Sequence, residues 1–113
     1  MITKEELSGL FADMRKNAPW DSNGPLTWAY FFADPAKARL EQVAPLLKKQ
    51  GYRQVGIYLS DKDQPGDPDL WWLQVEKVEQ HTVDTLHARN EKFYAFAAEH
   101  GLESYDGMDV GPA

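Results

Sequence analysis

The sequence predicts an α+β sandwich, a β-α-β-β-α-β order preceded by one extra helix. Three observations predict it. Apolar residues recur at helical spacing in three segments and with strand-like clustering or alternation in four others. Glycine, proline and acidic clusters separate these segments where turns must fall. With 113 residues of which 42% are hydrophobic and 12% aromatic, the chain can bury roughly two-thirds of its unfolded surface around one core. A single domain over residues 1–113 is expected, with a helix at 3–17 and a β-α-β-β-α-β core at 26–110.

The helix at the start is marked by Thr3 and Glu6, a capping-box pair in which each side chain meets the other residue's backbone N–H. Leu7, Leu10, Phe11 and Met14 then fall on one face until Ala18 and Pro19 end the run. Residues 20 to 25 are turn formers around Trp20, which is expected to anchor that loop. Leu26 to Ala33 is dense in Trp, Tyr and Phe on both faces and reads as an interior strand.

Asp34 and Pro35 are expected at the N-cap and first turn of the next helix. Ala36, Leu40, Val43, Ala44 and Leu47 form its apolar stripe, and Lys48, Lys49 and Gly51 its end. Pro45 removes an internal hydrogen bond and predicts a kink.

Tyr52 to Ser60 alternates, with Val55, Ile57 and Leu59 on one face and Tyr52, Gln54, Gly56 and Tyr58 on the other. The Asp, Pro and Gly-rich run at 61–69 predicts a long hairpin loop before Leu70 to Glu79, a strand carrying Trp71, Leu73 and Val75 on one face. A last helix begins near Thr82, aligns Val83, Leu86, Asn90, Phe93 and Ala97, and stops at Gly101. The amide of Asn90 is expected to brace backbone near a short final strand around Tyr105 to Val110.

This order is the split β-α-β, or ferredoxin-like, arrangement, whose right-handed crossovers place both core helices on one sheet face. The other face is then open. Alternation assigns Tyr52, Gln54, Tyr58, Trp72, Gln74 and Glu76 to it.

Twelve Lys and Arg against eighteen Asp and Glu leave a net charge of -6, the wrong sign for attraction to a phosphate backbone. Direct nucleic-acid binding is therefore not expected, although aromatics on sheets of this kind stack single-stranded bases elsewhere. Partial cover of those aromatics by the first helix is the plainer alternative. No run approaches the length of a membrane-spanning helix, and the early acidic residues lack a secretory pattern, so a cytoplasmic protein is expected.

Catalytic patterns fail at named positions. The loop beginning Asp61-Lys62-Asp63 resembles the opening of a calcium loop, but Pro65 replaces one ligand and Trp72 stands where the closing Glu belongs. His81, His87 and His100 are isolated, and His87 with Glu91 supplies two ligands where zinc takes three or four. No serine lies in a nucleophile-elbow setting, no phosphate-binding glycine loop occurs, and cysteine is absent. No metal and no cofactor are expected, and the protein is not expected to be an enzyme.

The stretch Ala97 to Gly107, AAEHGLESYDG, resembles the C-terminal signature of the regulator of ribonuclease activity B family, in which a helix ends shortly before a Tyr-Asp-Gly-Trp motif. YFFADPAKARLEQVAPLLKKQGY at 30–52 is similar to that family's first strand and helix, and WWLQVEKV at 71–78 to its third strand. Met108 stands where the family usually has Trp, and this sequence has no long acidic tail of the kind seen in the founding type. The resemblance implies a protein-binding regulator, since the founding type binds the endonuclease ribonuclease E and restrains RNA decay. An immunity or antitoxin-type inhibitor, and a cofactor-free enzyme formed by two such domains, are the alternatives.

For a protein partner, Tyr58 and Trp72 supply aromatic anchors and Asp61, Asp63, Asp67 and Asp69 an acidic loop. Tyr105, Asp106 and Gly107 join them as the family-like motif. Oligomeric state is not legible.

Overall fold

The computed structural model describes residues 1–113. Helix α1 (Lys4–Asn17) is followed by β1 (Leu26–Asp34), α2 (Lys37–Lys49), β2 (Arg53–Leu59), β3 (Trp71–Glu79), α3 (Val83–Glu99) and β4 (Ser104–Pro112). The strands form one antiparallel sheet in the order β2-β3-β1-β4. The class is α+β.

Local signals explain the helix starts of α1 and α3. Thr3 accepts from the Glu6 N–H at 3.2 Å while the Glu6 carboxylate accepts from the Thr3 N–H at 3.3 Å. Thr82 and Thr85 exchange the same pair of bonds. At the end of α2, Gly51 takes φ +95, which a residue with a side chain rarely adopts. Pro45 lies on the exposed side of α2, and the helix continues through it. The Glu41 carbonyl, four residues back, is the acceptor that the proline leaves without its helical donor.

Asp34 corrects an expectation. It is the last residue of β1 and not the N-cap of α2, which starts at Lys37 behind Ala36. Pro35 holds the residue before it extended, so the Asp34 carboxylate turns inward at 1% exposure. It accepts from the Ala36 N–H at 2.8 Å and the Glu103 N–H at 2.9 Å, tying the start of α2 to the approach to β4.

Helices α2 and α3 lie on one sheet face, where Leu40, Val43 and Leu47 join Leu86, Phe93 and Ala97 over Tyr30, Phe32, Leu73 and Val75. Rings interlock at this centre: Phe93 meets Tyr30, Phe32, Tyr52 and Tyr105 at centroid separations between 4.9 and 5.4 Å. Helix α1 packs on the same side, with Phe11 5.9 Å from Trp28 and its flank along α3. It does not cover the opposite face.

Two β-bulges set which side chains reach that opposite face. Between Gln54 and Gly56 the β2–β3 register shifts, leaving Val55 unpaired, and between Phe31 and Phe32 the β1–β4 register shifts, leaving Asp106 unpaired. A bulge adds one residue and resets the alternation. Tyr52 and Gln54 therefore lie on the helix side, contrary to the alternation read from sequence. Tyr52 is 4% exposed and stands edge-on to Tyr30, and Gln54 pairs with Val75 and lines a hollow against α2. Gly56 and Tyr58, beyond the bulge, face the open side opposite Gln74 and Trp72.

Candidate functional site

The open face carries three aromatic side chains on three adjacent strands. Tyr58 on β2 pairs directly with Trp72 on β3, and Trp72 with Ala33 on β1, two residues from Phe31. Phe31, Tyr58, Trp72, Asp106 and Met108 line a shallow groove of about 500 Å³. Tyr58 is 43% exposed and Phe31 and Trp72 are half-buried. Aromatics left this open are costly in water unless something covers them.

Acid surrounds one end of the groove. The loop at 61–69 joins β2 to β3 beside the Trp71–Trp72 end, and all nine of its residues are exposed. Lys62, its one cation, is paired with Asp69 at 2.5 Å. The Asp67 carboxylate accepts the Gln64 N–H at 3.0 Å and so shapes the turn, which leaves Asp61 and Asp63 as its free carboxylates. Asp106 is exposed on the β4 side, with the Ser104 hydroxyl donating to it.

Of the residues expected to meet a partner, Tyr58, Trp72, Asp106 and the four loop aspartates come together around this end of the sheet. Tyr105 and Gly107 lie beside them on β4 but are buried. Tyr105 is 4% exposed, its ring lies against Phe32 and Tyr94, and its phenol donates to the Asn90 carbonyl at 2.6 Å. Asn90 thus holds side chains of β4, with its amide nitrogen 3.5 Å from the Met108 sulfur, and not backbone. Gly107 is buried at φ +107, and a Cβ built there would stand 3.2 Å from Ile2 Cδ1. Burial pushes the Tyr105 hydroxyl well above the ordinary tyrosine range, with Tyr94 adding to it.

Phe31 was missed as a site residue. The signal was present, because Trp28, Tyr30 and Phe32 share one face of an alternating strand and leave Phe31 on the other. A second cluster had no such signal. On the helix side, the Glu79 carboxylate accepts from the Tyr30 phenol at 2.7 Å and from Arg89 Nη1 at 2.8 Å, and meets His81 Nε2 at 2.6 Å. Arg89 also lies over the rings of Tyr30 and Tyr52. Burial alone would raise the Glu79 carboxyl, but hydrogen bonds from His81, Arg89 and Tyr30 and the Arg89 charge outweigh it and bring it down to about 2. Every member of this cluster is satisfied within the protein, which makes it a brace between β1, β3 and α3.

An α+β domain with one sheet face filled by helices and the other open, aromatic and acid-rimmed belongs to the class of binding proteins. The family model described as regulator of ribonuclease activity B matches residues 4–110, nearly the whole chain, and the protein belongs to that family. It is a regulator of ribonuclease activity. Neither the curated proteins nor the solved structures yield a match.

Proposed function

We propose that the protein binds an endoribonuclease of the ribonuclease E type and restrains RNA cleavage without catalysing a reaction itself, needing no cofactor and acting in the cytoplasm. The observation that carries this is the family match over residues 4–110. The geometry supports it, because the groove lined by Phe31, Tyr58 and Trp72 offers anchors and one carboxylate but no convergent set of acid, base and nucleophile. No helix is long and apolar enough to cross a membrane.

The contact surface is the open face, with Tyr58, Trp72, Asp61, Asp63, Asp67, Asp69 and Asp106 meeting the partner. Tyr105 and Gly107 hold β4 in register beneath it. The whole chain is one domain of ferredoxin-like topology, a reading supported by the strand order β2-β3-β1-β4 and by α2 and α3 sharing one face.

The test is a cleavage assay with purified ribonuclease E and a defined RNA. Adding this protein should slow cleavage in a saturable way, with the enzyme captured on the immobilised protein and no RNA consumed by the protein alone. Cleavage unchanged at concentrations well above the enzyme's would sink the proposal.

A further inference from the structure

The open face is acidic as well as aromatic. Along the four strands, Arg53 is the one Lys or Arg on this side of the sheet, and the Glu76 carboxylate opposite holds it. Lys77, the other strand cation, lies over the Tyr52 ring on the helix side. Asp106, which accepts from the Ser104 hydroxyl, and Asp109, which accepts from the Val110 N–H, have no cationic partner, and both line hollows on this face. A visitor to the aromatic groove therefore meets rings and carboxylates with no unpaired cation among them.

Nucleobases and guanidinium groups both stack on exposed aromatic rings. A nucleic acid brings a phosphate for every base into this acidic field and is repelled. An arginine side chain brings a planar cation, which lies on an aromatic face and forks to a carboxylate with paired N–H donors. The groove crosses β2, β3 and β1 and is shallow, which suits an extended strand of peptide better than a helix.

We infer that the groove over Phe31, Tyr58 and Trp72 takes an arginine-bearing extended segment of the protein partner, with guanidinium groups stacked on the rings and paired to Asp106 and the loop at 61–69. This rests on the protein-binding reading above and adds the chemistry of the bound segment. Lysine fits less well, because its ammonium lacks the planar face and the fork.

The test titrates the full chain with an arginine-serine-glycine repeat peptide, its lysine and glutamate counterparts, and oligouridylate, following backbone and indole NMR resonances. The arginine peptide should shift Trp72, Tyr58 and Phe31 and bind more tightly than the lysine peptide, with affinity falling as salt rises. Trp72→Ala should weaken it about tenfold, the loss of one well-placed cation–π contact. Asp106→Asn, which keeps the shape of the groove, should weaken it severalfold and guards against a folding defect in the first variant. Equal binding of the glutamate peptide, tighter binding of oligouridylate, or shifts confined to the helix side would overturn the inference. Capture of ribonuclease E, measured in parallel, separates the two readings. If the enzyme is retained equally by wild type and Trp72→Ala, the groove assignment falls while regulation by binding stands.

Discussion

The phenol of Tyr105 donates a 2.6 Å hydrogen bond to the side-chain carbonyl of Asn90, joining β4 to α3 inside the core. The bond explains a polar residue on the apolar stripe of α3, since both groups are buried and each satisfies the other. The Tyr-Asp-Gly motif thus divides its work: Tyr105 points inward, Asp106 outward, and Gly107 at φ +107 carries the backbone through the bulge beside them.

Tyr105→Phe should leave the Asn90 carbonyl without its donor and cost about 1–3 kcal/mol of stability. Urea unfolding should show a lower midpoint at unchanged slope. Partner capture by the folded fraction should match wild type, because the phenol does not reach the surface.

Gly107→Ala places a Cβ at φ +107 and 3.2 Å from Ile2 Cδ1. Strain of this kind costs on the order of 1–3 kcal/mol. Gly111→Ala, where a Cβ meets nothing within 4 Å, is the matched control and should stay close to wild type in a thermal melt. A Gly107→Ala melt equal to that control would show that the bulge relaxes freely.

Acid should loosen the brace around Glu79. Its folded value of about 2 lies below the ordinary 4.5, so its contribution is complete above 4.5 and is lost as pH falls toward 2. Tyr52 behaves oppositely at high pH: burial, aided by the Glu79 charge and opposed by Arg89, pushes it up to about 12. Its neutral form stabilises the fold below pH 10, and that stability drains away as pH climbs toward 12. Stability of Glu79→Gln measured from pH 6 down to pH 2 should lack most of the wild-type acid limb.

Replacing Asp61 and Asp63 by Asn should slow association with the partner and flatten its salt dependence, with little change in dissociation. Both residues are fully on the surface of the loop, so the melting temperature should not move. Stopped-flow or surface-binding kinetics at two salt concentrations would decide; identical association rates would remove the loop from the encounter.

The elements themselves were legible because their signals are local. Thr3 with Glu6 caps one helix within one turn, Thr82 opens another, Gly51 ends one, and the stripe from Leu40 to Leu47 repeats at helical spacing. Trp72 and Tyr58 were placed on the open face by alternation alone. The α+β class follows from the order of such segments, and their matches to one family from a few short stretches.

What the chain could not reveal by itself is what depends on pairing between distant residues. A bulge exists only relative to a partner strand, so the shift at Val55 that turns Tyr52 and Gln54 toward the helices has no signature in a run that alternates cleanly. Phe31 shares a groove with Trp72 and Tyr58 only because β3 lies between β1 and β2. Tyr30 and Glu79 are 49 residues apart, and His81 and Arg89 look like isolated surface residues until α3 folds back over the sheet. Periodicity within each segment determined which residues are apolar and regular; tertiary packing decided which of them share a surface, because only closure of the sheet brings those strands side by side.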